Sequence, residues 1–175
     1  MFSMIEKCNE KDLIAALSSG ADLNSMNFSN LSLNNVDFSK KKITGCSFSK
    51  SCFTDCKFIG AKIRMSFFDF TCFINCTFEK ADIQFSCFAG STFDHTGFTN
   101  AELLINNFTG LVTHFCSFND SDLYSSRLIR CNLNNTSFQN CNIKRAYFTN
   151  NSYHEVSFKS SNTREAYFDS GVNRP

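Results

Sequence analysis

The side chains that could do acid–base chemistry are few. His95, His114 and His154 are the only histidines, and Asp94 stands beside the first of them. An Asp–His pair can act as a general base, and histidines that converge can hold a metal. Ten cysteines add thiols that could cross-link or ligate. The sequence has no Gly-rich phosphate loop and no paired-cysteine zinc spacing. Whether Asp94 meets His114, or His114 meets His154, depends on the elements that position them.

Those elements are explicit in residues 81–100, ADIQFSCFAGSTFDHTGFTN, which hold four five-residue units centred on Ile83, Phe88, Phe93 and Phe98. Two residues before each centre sits a small residue: Ala81, Ser86, Ser91 and Thr96. The frame runs unbroken from Leu23 to Phe168, thirty centres in all, and only Thr113 and Thr163 are not Phe, Leu, Ile or Tyr. A period of five fits neither a helix nor a simple strand. It fits a solenoid in which each unit forms one side of a coil. Taking every fourth unit sorts the centres by type. Leu23, Ile43, Ile63, Ile83, Leu103, Leu123 and Ile143 are all aliphatic, while Phe38, Phe58, Phe78, Phe98, Phe118, Phe138 and Phe158 are all Phe. The coil therefore has four sides and twenty residues.

In that register Asp94 and His114 fall at equivalent outward positions of adjacent coils, where they could touch. His114 and His154 lie two coils apart, about 10 Å by strand spacing. A filled rod offers no cleft, so no catalytic residue, cofactor or metal site is expected.

Units such as ADLNS (21–25), ADIQF (81–85), AELLI (101–105) and SDLYS (121–125) resemble the A(D/N)LXX signature of pentapeptide-repeat proteins. The resemblance covers about 150 of the 175 residues. It implies an all-β solenoid, a right-handed quadrilateral β-helix of about 7–8 coils; the spacing alone reads four sides and not handedness. The family has no shared activity. Its members include cyanobacterial and plant proteins, secreted bacterial effectors, and DNA-mimicking quinolone-resistance proteins that bind type II topoisomerases. Three functions follow as expectations: a scaffold that binds protein partners, a topoisomerase-binding DNA mimic, and a secreted effector. The mimic needs an acidic rod, whereas 17 Lys+Arg against 16 Asp+Glu leave a net charge of +1. That balance also gives no strong pull toward nucleic acid.

No apolar run is long enough to span a bilayer, and the first residues, MFSMIEKCNEKD, lack the character of a signal peptide. A cytoplasmic location is expected. Cys46, Cys56, Cys76, Cys116, Cys131 and Cys141 take the small inward position, where a free thiol packs as a small hydrophobe. Cys52 and Cys72 precede their centres, one coil apart, and should face outward as neighbours within reach of a disulfide; reduced thiols are the expected state.

The chain divides into a capping segment (1–20), the β-helix (21–170) and a tail (171–175). Asn9 can cap a helix over Glu10 to Ser18, closed by Gly20, with Leu13, Ile14 and Leu17 as its apolar face. Its place is over the first coil, whose core would otherwise be open. The small position is irregular at Met26, Leu31 and Lys41, and again at Asn106 and Leu111. Near Gly110 and Thr113 either a bulge re-aims Val112, His114 and Phe115, or the coil swells on a regular backbone. Seven Gly and one Pro are few for so many corners, which leaves the corners to turn-tolerant residues such as Asn and Ser.

Outward positions carry the candidate interaction residues. Met65, Phe85 and Ile105 share one outward column on successive coils, with Leu104 and Tyr124 beside them and Phe67 and Cys87 at the same corner. Such a group forms either a binding surface or local packing folded over the corner. Tyr147 and Tyr167 make a second outward pair. Asp82, Glu102 and Asp122 form an acidic file, and Arg127, Arg130, Lys144, Arg145 and Arg164 make the late coils basic. The far end is expected to lack a cap, leaving Phe148, Tyr153, Phe158 and Phe168 open. Tyr153, Phe158, Tyr167 and Phe168 are then candidate contacts for a homodimer. The resemblance points the same way, since quinolone-resistance members dimerise through C-terminal coils, although with an added segment not found in this sequence.

Overall fold

The computed structural model describes residues 7–169; the proposed tail at 171–175 lies outside the described residues. Sides of the rod pair with the sides twenty positions on, in parallel and in register. The first side forms a five-stranded sheet of Leu23–Asn24, Lys42–Thr44, Lys62–Arg64, Asp82–Gln84 and Glu102–Leu104. The third side forms a seven-stranded sheet running from Ser32–Asn34 to Ser152–His154. The second and fourth sides are joined mostly by single bridges, such as Phe67 to Cys87 and Thr77 to Gly97. The outcome is a solenoid of about seven four-sided coils with one helix at its N-terminal end.

The unit centres fill the interior. In the fourth-side column the rings of Phe38, Phe58, Phe78, Phe98 and Phe118 stack nearly parallel, with centroids 4.6, 4.4, 4.6 and 4.7 Å apart. Neighbouring columns meet edge to face, as Phe73 does on Phe78. Both arrangements suit the ring quadrupole. The small inward residues do more than leave space. Ser91 and Ser121 donate their hydroxyls to the carbonyls of Phe68 and Phe98 in the preceding coil, and the thiols of Cys116 and Cys131 do the same to Phe93 and Phe108. Burial pushes the Cys116, Cys131 and Cys141 thiols up to about 11, which keeps them protonated as donors. Asn106 meets the same need with a larger side chain. Its amide donates to Ile83 O at 2.8 Å and its oxygen accepts from Ser86 N at 2.9 Å. Among the described residues no buried side-chain polar atom lacks a partner.

The N-terminal helix α1 spans Glu10–Ser18. Asn9 and Asp12 close a capping box, with Asp12 N donating to Asn9 Oδ1 and Asn9 N to Asp12 Oδ2. Leu13 is buried and Leu17 packs against the core. Ile14, expected on the same face, is exposed instead. Lys41 explains its own irregularity: its ammonium reaches across to Leu17 O at the helix C-terminus, 3.1 Å away.

At Thr113 the backbone is regular. Val112–His114 pairs in register with Thr92–Asp94 and with Asn132–Asn134, so no bulge forms. The Thr113 hydroxyl is satisfied by Thr136 at 2.8 Å. The C-terminal end also differs from expectation. Phe148 and Phe158 are buried, because Phe168 stacks on Phe148 and Tyr153 packs edge-on against Phe158. The Tyr153 hydroxyl donates to Phe148 O, and Thr163–Glu165 turns as a short 3-10 helix that brings Phe168 over the end. Tyr153 and Phe168 themselves remain half-buried at the end of the last coil.

Truncating one ring of the unbroken column leaves a cavity between two parallel neighbours. Phe98→Ala is expected to cost about 3–5 kcal/mol, measurable by urea unfolding. An unchanged midpoint would contradict the stacking.

Candidate functional site

The corners position the outward apolar residues, and they do so at a cost. From Ser25 to Ser160 every fifth residue has a positive φ, and 24 of these left-handed residues are not glycine. Asn and Asp tolerate that region through local hydrogen bonds, whereas other residues lose roughly 1–2 kcal/mol there. Many corners are Asn, as the composition suggests. Others are not. Met65 (φ 49), Phe70 (φ 55), Phe85 (φ 54), Ile105 (φ 57) and Phe115 (φ 53) occupy the same strained position. For the β-branched Ile105 it is a true outlier.

These side chains stand out into solvent. Met65 is 56% exposed, Phe85 55%, Ile105 45% and Phe67 51%, so they do not fold back over the corner. Leu104 and Tyr124 are half-buried beside them, with the Arg145 guanidinium donating to the Tyr124 hydroxyl at 3.0 Å. Phe70, 65% exposed, closes the opposite corner of the second side. Its ring lies across Gly90, where a Cβ would sit 2.7 Å from the ring atoms. The glycine therefore permits the ring to lie flat. Phe70 escapes a reading made one column at a time, since it stands one side further on; its signal is the same fifth place in the unit that Met65 and Phe85 hold.

Between Phe85 and Ile105 the corner opens into a shallow notch of about 410 Å³, lined also by Ser86, Cys87, Asn107 and Arg127. Arg127 follows Phe67, Cys87 and Asn107 along the second side, one coil after another. Among the described residues its guanidinium has neither an ion-pair nor a hydrogen-bond partner, in contrast to Lys144, which pairs with Glu165 at 2.8 Å. The notch thus combines an apolar wall with a cation that no described residue neutralises.

The acid–base candidates do not assemble. Register places Asp94 beside His114, yet the Asp94 carboxylate bonds His95 Nδ1 at 2.8 Å, and the His95 ring stacks on Phe115. His114 and His154 are separated by Asn134, as the spacing predicts. No group of three or more His, Cys, Asp or Glu that could hold a metal occurs among the described residues. Asp82, Glu102 and Asp122 do stack as a file, but Arg64 takes Asp82 and Asn142 donates to Asp122. Of the candidate end contacts, Phe158 is corrected to core at 3% exposure. Tyr153 and Phe168 are half-buried, and Tyr167 is exposed while stacked on Tyr147 at 4.6 Å. No described helix is long and apolar enough to cross a membrane.

No curated protein matches the chain in sequence. Solved structures similar to it include HetL, a pentapeptide repeat protein involved in heterocyst differentiation regulation from the cyanobacterium Nostoc sp. It is 9% identical, with a TM-score of 0.35, over 94% of this chain and 98% of that one. QnrB1, a plasmid-mediated fluoroquinolone resistance protein, is 16% identical with a TM-score of 0.35, over 85% of this chain and 86% of that one. Rfr23 from the cyanobacterium Cyanothece 51142 is 12% identical with a TM-score of 0.31, over 91% and 99%. Residues 116–150 match the family model for pentapeptide repeats, in eight copies. The same five-residue frame, with a left-handed corner closing each unit, continues on both sides of that match, and the chain carries pentapeptide repeats.

Proposed function

We propose that this protein is a non-catalytic binding module that docks a protein partner on the second side of the rod, across Met65, Phe67, Phe70, Phe85 and Ile105. One observation carries the reading: bulky apolar side chains occupy left-handed corners, where they lose stability twice, once by exposure and once by backbone strain. Strain held at contiguous positions is a mark of function. The partner presents an apolar side chain to the notch and a carboxylate to Arg127, whose charge no described residue neutralises. DNA mimicry is less well supported, because the acidic file is three residues long and ends at Lys62 on one side and Asn142 on the other.

Random peptides displayed on phage and selected on the immobilised protein supply a defined probe. The selected peptides are expected to combine an aromatic or aliphatic residue with an acidic one. Phe85→Asn with Ile105→Asn should weaken their binding about tenfold or more, while raising stability by about 1 kcal/mol per corner through relief of strain. Peptides that bind the double variant as well as the wild type would remove the surface from consideration.

The charge component separates from the apolar one. Arg127→Glu is expected to reduce affinity for the acid-bearing peptides about tenfold and to abolish the weakening of their binding by added salt. An unchanged affinity titration would leave the apolar surface standing and discard the carboxylate.

A further inference from the structure

Cys52 and Cys72 differ from the other cysteines. They stand in register on adjacent strands of the seven-stranded sheet, outside the core, with their sulfurs 2.8 Å apart. Strand spacing puts their Cα atoms about 4.8 Å apart, inside the span a disulfide accepts. Both are half-buried, so a small reagent can reach them. The six inward cysteines are buried, and Cys87 accepts from the Asn107 amide at 3.7 Å. Along the ladder the pair is flanked by Ser32 and Thr92.

We propose that Cys52 and Cys72 form an oxidation site that closes into a reversible disulfide and clamps two successive coils. The co-reactant is a small-molecule disulfide of the glutathione class. Cys52, as thiolate, attacks one sulfur of the reagent; the reagent S–S bond breaks and the first thiolate leaves, taking up a proton from water. Cys72 then gives its proton to water and attacks the Cys52 sulfur. The mixed disulfide breaks, the second small thiolate leaves and is protonated, and the protein disulfide remains. Two protein thiols lose two electrons, and one reagent disulfide becomes two thiols. Desolvation, then the neighbouring Cys52 sulfur, pushes the Cys72 thiol up to about 12. The first attack is for that reason assigned to Cys52, and Cys72 acts once its target is already in contact.

The bond would enclose one complete coil, and closing a loop restricts the unfolded chain. The test is incubation with glutathione disulfide, alkylation, and digestion without reduction. The expected result is a Cys52–Cys72 cross-linked peptide, reversed by dithiothreitol, together with a melting temperature raised by ~5 °C or more. Cys72→Ser should stop at a glutathione adduct on Cys52 with no gain. The proposal is overturned if the wild type also stops at adducts, if the link joins other cysteines, or if oxidised and reduced protein melt together.

Discussion

The fold depends on in-register stacking of identical positions. Backbone amides that face the next coil find their carbonyls nineteen residues on, as Phe38 N does at Lys57 O and Phe98 N at Ser117 O, both 2.7 Å. Even the strained corners join this ladder, with Ile105 N donating to Tyr124 O at 3.0 Å. The hydrogen bond holds the left-handed residue in place against its steric preference. A one-residue slip would misalign every side of every later coil.

Register also decides what each side chain meets. A Phe at one coil meets a Phe above and below, and parallel stacking accumulates along the column. At many coils the inward small position also supplies one donor to the coil before it. Ser91, Thr96 and Cys116 do so with a hydroxyl or thiol, and Asn106 with an amide. Stacking penalises charge in the same way. Glu102 stands between Asp82 and Asp122, where like charges on neighbouring strands repel, and its neighbours are partly relieved by Arg64 and Asn142.

The coil was legible in the sequence because the core accepts one shape per column, which sorts Phe from Ile by position alone. The helix was legible because Asn9 and Gly20 are local signals. What could not be read was where the strain lies. A fifth-place Asn announces a corner, but Phe85 and Ile105 are strand-formers by type, and the repeat does not reveal that they sit at positive φ. The stacking of Phe168 on Phe148 follows the twenty-residue period. What the period does not encode is the turn of the Tyr153 ring onto Phe158, with its hydroxyl donating to Phe148 O. The Asp94 partner was missed because register locates backbones, while the carboxylate chose its chain neighbour His95.

These properties separate fold from surface. The inward positions and the ladder leave the outward ones chemically free, so a corner can exchange Asn for Phe without moving the core. The exchange still has a cost, set by φ and by exposure, and that cost ranks the corners. Where Asn or Gly stands, the corner serves the chain. At Met65, Phe85 and Ile105, stacked on successive coils, and at Phe70, laid over Gly90, the chain gives up stability for side chains that face outward. The corner backbone is fixed by the coil-to-coil ladder, so the proposed docking would order few groups of its own. A stiff apolar edge bounded by the Arg127 guanidinium is the surface proposed for docking, which would select a partner by the spacing of a coil.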